Sequence, residues 1–429
     1  MDRPPLLIGL YALAHAAGGL VALRVLGVVA AVTSVLLASR IGRLVAQEAG
    51  ARWCAVAGAA FVSMPLFDAR EVDGELLALP FVLGSIALVL SGSRRSGAPR
   101  TTGLLLAAGA AAAAAALVKQ NLVDGAVFGA AYVVTDAVRG HDRQRLVRGL
   151  GALAAGAVAT GAVVMAAAAA RGTGPGALWD ALVVFRGQAA AQLAGDAGGS
   201  PSRLARLPVA LATSGGLLLL GLAAHRLRRT LLRSPLGVAT LALTGWELVG
   251  ILAGGSYWLH YLLGLVPALV LAAALAIHER DRWAGAARLT LLWAAGVAVV
   301  GMVALAIAHP LSPSQRAGLW LRAHARPSDT AVVAFGGANV VTIAGLQSPY
   351  DQLWSLPVRV RDPRLRDLTA TLSGSRAPTW VLTQDRLGGW QLEPTAARTV
   401  LDRRYRQVAE VAGYEVYRLR ARGRGSPPP

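Results

Sequence analysis

Cysteine is almost absent from this sequence, since Cys54 is the only one in 429 residues. A single cysteine excludes an internal disulfide framework and a metal site built on several cysteines. Lysine is equally rare, because Lys119 is the only one and nearly all other basic residues are arginines. Charged residues make up 15% of the chain, against about a quarter in a typical soluble protein. This shortage of charge excludes an ordinary soluble domain.

Apolar residues are correspondingly abundant. They account for 55% of the chain, and the mean hydropathy is +0.52. Apolar runs of about 17–25 residues recur, which is the length that an α-helix needs to cross a bilayer. The sequence therefore predicts an α-helical polytopic membrane protein with about ten transmembrane helices. The predicted spans lie near residues 21–39, 54–66, 75–91, 102–117, 125–138, 149–170, 207–224, 235–252, 260–277 and 289–308.

The net charge of +19 lies in the loops between these runs. Loops such as "SGSRRSGAPR" from Ser91 and "RGHDRQRLVR" from Arg139 are rich in arginine, whereas "VKQNLVD" and "GGSYWLH" are poor in it. The two kinds alternate along the chain, as expected for membrane anchors rather than for a nucleic-acid surface, so no nucleic-acid partner is predicted. Positive loops stay in the cytoplasm. We therefore expect both termini outside the cytoplasm, with the protein in the cytoplasmic (plasma) membrane.

The sequence changes character at about residue 309. "TAVVAFG" and "TWVLTQ" are short runs rich in β-branched residues, and "RQVAEVAGYEVYRLR" indicates two strands that turn near Ala412 and Gly413. "EPTAARTVLDRRY" predicts a helix with Pro394 in its first turn. We expect a transmembrane domain over 1–308, an extracytoplasmic α/β domain over 309–420 and a disordered tail over 421–429.

Candidate site residues gather at the membrane edges of the arginine-poor loops. "LFDAREVDGELLALPF" contains Asp68, Arg70, Glu71, Asp73 and Glu75. Asp68 and Glu71 are typical of a solvated loop. Glu75 stands at the start of an apolar helix, where it either stabilises the helix N-terminus through the helix dipole or supplies the carboxylate of a membrane site.

The loop "VKQNLVD" holds Lys119, Gln120, Asn121 and Asp124 between two spans. A lysine is a compact point charge that suits a phosphate. It also serves as an interfacial anchor, with its charged end turned to the headgroups. Both interpretations stay open at the level of the sequence.

Two further segments offer polar and aromatic groups. "GGSYWLHY" places Tyr257, Trp258, His260 and Tyr261 at the mouth of a helix, either as interfacial aromatics or as the lining of a sugar or lipid pocket. "GALWDALVVFRGQAAAQLAG" is an amphipathic segment whose Arg186 contacts either lipid phosphate or solvent.

Four stretches together resemble the membrane glycosyltransferases of the GT-C superfamily, which includes lipid A aminoarabinose transferases and protein O-mannosyltransferases. "DRPPLLIGLYALAH" resembles the family's D/H-x-P-P-L segment, and "AREVDGELLALPF" is similar to its acid-bearing second outer loop, with the acid at Glu75. "LVKQNLVDGAVF" is similar to the segment whose lysine meets the donor phosphate, and "HYLLGLVPALVLAAAL" to a late family helix.

The resemblance implies a glycosyltransferase that takes a hexose or pentose from a polyprenyl-phosphate carrier at the outer face of the membrane. It would transfer the sugar, with inversion, to a lipid, glycan or protein of the cell envelope. A base must reach the acceptor hydroxyl, and the leaving phosphate needs fixed positive charge. Some relatives use a divalent metal at the donor phosphate, and the sequence leaves this open. The implied residues are catalytic Glu75, Asp73 and Asp2; donor-phosphate or lipid-binding Lys119, Arg70 and Arg186; and pocket-lining Gln120, Asn121, Tyr257, Trp258, His260 and Tyr261.

The likeness also bears on the N-terminus. The family has a span and a catalytic acid before its D/H-x-P-P-L segment, and here that segment begins at Asp2. We therefore expect either a start assigned too far downstream or an N-terminally truncated copy. Truncation keeps a non-catalytic membrane scaffold among the alternatives. A lipid or solute transporter is the other, although no internal repeat of the kind frequent in transporters is visible.

Overall fold

The computed structural model describes residues 3–93, 98–194, 200–228, 231–277, 282–308, 311–389 and 392–420. Asp2 and the predicted tail 421–429 lie outside the described residues. The chain divides into two compact units. The first comprises Met1–Val184 and Leu193–Ile307, and the second comprises Phe185–Gln192 and Ala308–Pro429.

The first unit is built from helices, as the recurring apolar runs predict. Among the described residues, seven helices are long and apolar enough to cross a membrane, or up to eight if the bent pair α9–α10 is one span. The polytopic helical fold is confirmed, while the count of ten spans stays a prediction. The helices are α1 (Pro5–Gly18), α2 (Leu20–Val62), α3 (Gly74–Ser93), α4 (Ala98–Val118), α5 (Asp124–Arg139), α6 (Arg143–Ala169), α7 (Pro175–Trp179), α8 (Phe185–Ala194, which belongs to the second unit as far as Gln192), α9 (Ser200–Thr213), α10 (Gly216–Leu227), α11 (Pro235–Ala253), α12 (Val266–Ile277) and α13 (Arg282–Ala308).

The long helix α2 contains a sharp reversal rather than one continuous span. Ala46 and Gln47 have non-helical backbone angles. Gly42 and Gly50, on either side of them, approach so closely that a Cβ on either would collide with the backbone of the other. Farther along, a Cβ on Gly58 would lie 2.9 Å from that of Ala38. The two arms of α2 therefore pack side by side, and they contain the predicted spans near 21–39 and 54–66.

Helix α12 lies at the centre of the first unit. Every residue from Val266 to Ile277 is buried, and α2, α3, α10 and α11 pack around it. A helix that is apolar on all sides is stable only inside such a bundle. A 3₁₀ segment, Leu259–Leu265, leads into α12 and carries His260 and Tyr261 to the start of α3.

The second unit contains a four-stranded mixed sheet of order β1-β2-β4-β3. Its elements are α14 (Pro313–His324), β1 (Ala331–Ala334), α15 (Asn339–Ala344), α16 (Ser355–Arg361), α17 (Arg366–Ser373), β2 (Trp380–Thr383), α18 (Thr395–Arg404), β3 (Tyr405–Val411) and β4 (Tyr414–Leu419). Strands β1 and β2 are parallel, and β4 is antiparallel to both β2 and β3. Apolar clusters cover both faces of the sheet, with α14 and α15 on one side and α17 and α18 on the other.

The end of the chain folds as its sequence predicts. The β3–β4 turn lies at Ala412 and Gly413, whose φ values are 54° and 83°. A two-residue hairpin of this kind needs positive φ at both central residues, which a glycine adopts without strain. Pro394 immediately precedes α18, where its missing N–H removes no helical hydrogen bond.

Candidate functional site

The N-terminus of α3 positions two acids differently. The Leu76 N–H donates to Oδ1 of Asp73 at 2.9 Å, so Asp73 satisfies one of the backbone donors that a helix leaves open at its start. Glu75 follows in the first turn and is only 2% exposed. Asp73 is therefore the residue that caps α3, and the Glu75 side chain is left for another partner.

That partner is Lys119, the single lysine of the sequence. Its Nζ donates to Oε1 of Glu75 at 2.6 Å, and 19% of the lysine side chain is exposed. Lys119 directly follows α4, so the end of one helix brings its cation to the start of another. A charge buried this deeply needs a paired opposite charge. The geometry is that of an internal ion pair and not of a lysine directed to the headgroups.

The 3₁₀ segment before α12 brings an imidazole and aromatic rings to the ion pair of Lys119 and Glu75. Nε2 of His260 lies 3.8 Å from Oε1 of Glu75, and the Lys119 Nζ lies 5.4 Å from the centroid of the Tyr261 ring. Trp258 stacks on His260 with ring centroids 6.3 Å apart. The Arg203 guanidinium lies 4.3 Å from the centroid of Trp258. Charged and aromatic groups thus meet in one place, as in sites that bind anionic ligands with an apolar or sugar portion.

Burial raises the pKa of Asp73 to about 7 from its usual 3.8. The negative charge of Glu75 raises it further, whereas the Leu76 N–H and the positive charge of Lys119 oppose the rise. A carboxyl that titrates near neutral pH is suited to exchanging a proton with a bound ligand.

Asp73, Glu75 and His260 also form a group of metal-ligand type. One ligand atom from each lies within 4.8 Å of the others. Two carboxylate oxygens and an imidazole nitrogen suit zinc or a similar divalent cation. Oε2 of Glu75 is buried and accepts no hydrogen bond within the described part of the chain, so this oxygen is available to a cation. Asp73, Glu75 and His260 are therefore suitable ligands for a divalent cation.

The other residues singled out by sequence lie in different settings. Arg70 is exposed and forms an ion pair with Asp68 of its own loop at 3.0 Å. Gln120 donates to the carbonyl of Leu182 at 2.9 Å, and the carbonyl of Asn121 accepts from the Trp246 indole at 3.1 Å.

The three remaining candidate residues are Tyr257, Arg186 and Asp2. Tyr257 has a positive φ of 49° and begins the turn into the Leu259–Leu265 segment. Arg186 belongs to the second unit, where its guanidinium lies 5.8 Å from the centroid of the Phe185 ring. Asp2 falls outside the described residues.

Sequence reasoning overlooked one acid of the first unit. Glu247 lies inside the apolar helix α11 and is 1% exposed. Its signal was present, because a carboxylate in the middle of the apolar run "TGWELVGILA" is costly unless it has a function or a partner. Asp124, which the sequence places near Lys119 without a role, is fully buried.

No protein-family model matches this sequence, and no curated protein matches it either. Solved structures do match it. ArnT from Cupriavidus metallidurans bound to undecaprenyl phosphate has a TM-score of 0.65 at 14% sequence identity, with 97% of this chain and 87% of ArnT covered. The apo state of the same protein has a TM-score of 0.58 at 13% identity, with the same coverage.

A more distant likeness is to the oligosaccharyltransferase AglB from Archaeoglobus fulgidus in complex with an inhibitory peptide and a dolichol phosphate. Its TM-score is 0.49 at 12% identity, with 90% of this chain and 61% of AglB covered. The two ArnT comparisons establish the fold. The chain has an ArnT-like fold and is a multi-pass membrane protein, so the resemblance to GT-C glycosyltransferases is confirmed at the level of the fold.

Proposed function

We propose that this protein transfers a sugar from a polyprenyl-phosphate donor to a lipid, glycan or protein of the cell envelope, at the outer face of the cytoplasmic membrane. The observation that carries the proposal is the buried ion pair of Lys119 and Glu75, flanked by the Tyr261 ring. A single lysine held inward at the end of a membrane helix, within an ArnT-like fold, suits the phosphate of a lipid-linked sugar.

Lys119 would bind the donor phosphate. An ammonium group has three N–H donors, and Glu75 takes one of them at 2.6 Å. The other two remain to meet phosphate oxygens. As the bond between sugar and phosphate breaks, negative charge grows on the leaving phosphate, and a fixed cation stabilises it. Arg70 is a further candidate for the phosphate, and Arg186, in the second unit, is a candidate for contact with membrane lipid.

Glu75 would hold the Lys119 ammonium in place, and Asp73 would receive the acceptor proton. A base that titrates near the working pH is the most effective one, and the pKa of Asp73 is raised to about 7. The acceptor oxygen would form a bond to the sugar from the side opposite the phosphate, which inverts the anomeric centre. Its proton would pass to Asp73, and the polyprenyl phosphate would depart. Asp2, the acid of the N-terminal D/H-x-P-P-L-like segment, stays a candidate base.

The aromatic groups would bind the sugar. Trp258 and His260 present stacked rings, and flat apolar ring faces suit the C–H face of a pyranose while their polar edges meet hydroxyls. Tyr257 and Tyr261 border these rings in sequence. Gln120 and Asn121 would line the pocket from the loop that carries Lys119. A mannosyltransferase-like activity is one member of this class of reactions.

Asp73, Glu75 and His260 would hold a divalent cation, which would supply positive charge for the donor phosphate; with Asp73 as a ligand, the acceptor proton would pass to Asp2. These three residues supply the ligand types that such an ion takes. In that arrangement the protein itself still orients the phosphate through Lys119 and excludes water with the surrounding rings.

The function is tested by reconstituting the purified protein in liposomes with undecaprenyl-phosphate sugars and candidate envelope acceptors. We expect transfer of labelled sugar, lost in Lys119→Ala and kept in Glu48→Gln. Glu48 is an exposed acid paired with Arg43, so its replacement is a matched control for a change of charge. Binding of undecaprenyl phosphate without transfer from any donor would favour a scaffold, and movement of lipid or solute across the liposome would favour a transporter.

A further inference from the structure

A second pair of ionisable groups lies inside the first unit. Asp124 is the first residue of α5 and is fully buried, and Glu247 in the middle of α11 is 1% exposed. Helices α5 and α11 pack against each other, which brings the two buried carboxyl groups into the same part of the interior, where each acts electrostatically on the other. Glu247 Oε1 is packed against Gly264, where a Cβ would collide with the carboxyl. Two acids therefore face each other in an apolar interior.

Among the described residues, the carboxyl oxygens of these two acids are short of hydrogen-bond donors. Both oxygens of Asp124 and Oε2 of Glu247 are buried and accept no well-formed hydrogen bond within the described part of the chain. An ionised carboxylate is only an acceptor, so two of them cannot bond to each other. Two adjacent buried negative charges also repel strongly in a medium of low dielectric constant. Two acids buried together in this interior are stable only when at least one of the two carboxyl groups is protonated.

The neighbouring charges do not supply a counter-ion. The other charged groups that act on Glu247 are Glu75 on α3 and Lys119 after α4. These two already neutralise each other through the 2.6 Å ion pair. His260, on the 3₁₀ segment that packs against α11, lies 3.8 Å from Glu75 rather than facing Asp124. The balancing charge at the pair must come from a bound proton or an external cation.

Asp124 and Glu247 also adjoin the loop that carries Lys119. Residues 119–123 connect α4 to α5, and we call them the Lys119 loop. The Trp246 indole donates to the carbonyl of Asn121 in this loop at 3.1 Å. The next residue of α11, Glu247, acts electrostatically on Asp124, the residue that follows the loop. Adjacent residues of α11 thus act on the Lys119 loop and on the first residue after it.

We infer that Asp124 and Glu247 together bind one proton, and that this shared proton fastens the Lys119 loop to α11. The proton-binding site rests on the burial and packing of the two acids, whereas its importance for donor binding rests on the proposed function of Lys119. A proton is favoured over a metal ion because, among the described residues, no third His, Cys, Asp or Glu completes a group of metal ligands with these two acids. Removal of the proton at alkaline pH makes the two carboxylates repel, and the loop that positions Lys119 then loosens.

Infrared spectroscopy in H₂O and D₂O tests the proton directly, with the parent and every variant carrying Asp73→Asn so that the Asp73 carboxyl, whose pKa is about 7, adds no band. We expect the carbonyl band of a protonated carboxyl, shifted by deuteration and lost in both Glu247→Gln and Asp124→Asn. In either variant the amide donates to the remaining carboxylate, which no longer needs the proton, so both are expected to fold. The control Glu48→Gln should keep the band. A band that persists in both variants would overturn the inference, and so would its removal from the parent by added Na⁺, K⁺, Mg²⁺ or Ca²⁺.

Binding of undecaprenyl phosphate as a function of pH tests the link to the Lys119 loop. We expect the parent and Glu48→Gln to lose affinity at alkaline pH by tenfold or more, which is about 1.4 kcal/mol. Glu247→Gln, whose amide needs no proton, should keep its affinity over the same range. Identical pH profiles of parent and Glu247→Gln would overturn the fastening role. Absence of binding by every form at every pH would instead refute the donor site, while the infrared result would still decide the proton site.

Discussion

Lys119 and Glu75 stand 44 positions apart in sequence, yet Nζ of one lies 2.6 Å from Oε1 of the other. The contact joins the end of α4 to the start of α3, and Asp73 rather than Glu75 caps α3. Glu75 therefore faces a partner instead of capping its helix, and Lys119 is held inward by that partner. The pair supplies a fixed ammonium group with donors to spare, next to aromatic rings, which is the chemistry that a lipid phosphate requires.

The first prediction separates the structural role of Lys119 from its role in binding. Lys119→Met removes one partner of a buried ion pair and leaves the Glu75 charge alone, so it should lower the free energy of unfolding by about 3–5 kcal/mol. The double change Lys119→Met with Glu75→Gln removes both charges and should recover most of that loss. Chemical denaturation in detergent measures both. Undecaprenyl phosphate binding should stay lost in the double variant, and normal binding there would contradict the phosphate role of Lys119.

The second prediction concerns Glu75 in transfer. Glu75→Gln keeps the shape of the side chain but no longer holds Lys119 through a charge. The transfer rate should fall by about tenfold or more, equivalent to upwards of 1.4 kcal/mol in the activation barrier. Rates of labelled-sugar transfer are compared at equal folded yield, with Glu48→Gln as the control. Equal rates for parent and Glu75→Gln would remove Glu75 from the site.

The third prediction concerns pH and Asp73. Its pKa is raised from 3.8 to about 7 in the folded protein, so between these values the folded state binds more protons than the unfolded state. Stability contributed by this group should therefore fall as pH rises from about 4 to about 7. Thermal melts across this range should show a shallower decline for Asp73→Asn than for the parent. Parallel curves would show that Asp73 titrates normally.

The fourth prediction tests the packing of Glu247 against the segment before α12. Gly264→Ala places a methyl group against the Glu247 carboxyl in the bundle core, and such overpacking should cost about 1–3 kcal/mol. Gly245→Ala is the matched control, because nothing lies within 4 Å of the added methyl. That control should leave stability unchanged or raise it by up to about 1 kcal/mol, since alanine favours a helix. Equal melting temperatures for the two variants would contradict the close contact.

The fifth prediction concerns sidedness. The alternation of arginine-rich and arginine-poor loops predicts that the C-terminal domain lies outside the cytoplasm. A reporter that is active only in the cytoplasm, fused after Arg420, should be silent, and a periplasmic or extracellular reporter at the same place should be active. A strong cytoplasmic signal would place the site of Lys119 and Glu75 on the wrong side for an outer-face transferase.

Sequence by itself determined the membrane class, the helical bundle and the strands of the second unit. These depend on local properties: apolar runs long enough to cross a bilayer, β-branched runs such as that of β2, and the turn at Ala412 and Gly413. Lys119 and Glu75 were also recognisable as unusual, because each is an isolated charge at the edge of an apolar run.

Only the tertiary structure decided which of these charges meet. Whether Glu75 capped its helix or faced a partner depended on how α3 packs against the end of α4, and no local pattern encodes that packing. The same holds for Asp124 and Glu247, which lie 123 positions apart in the numbering and are buried in the same interior because α5 packs on α11. The free energy of burying a charge depends on whether an opposite charge or a proton is present beside it. The partner of each acid was therefore fixed by the arrangement of helices in space rather than by the residues beside it in the chain.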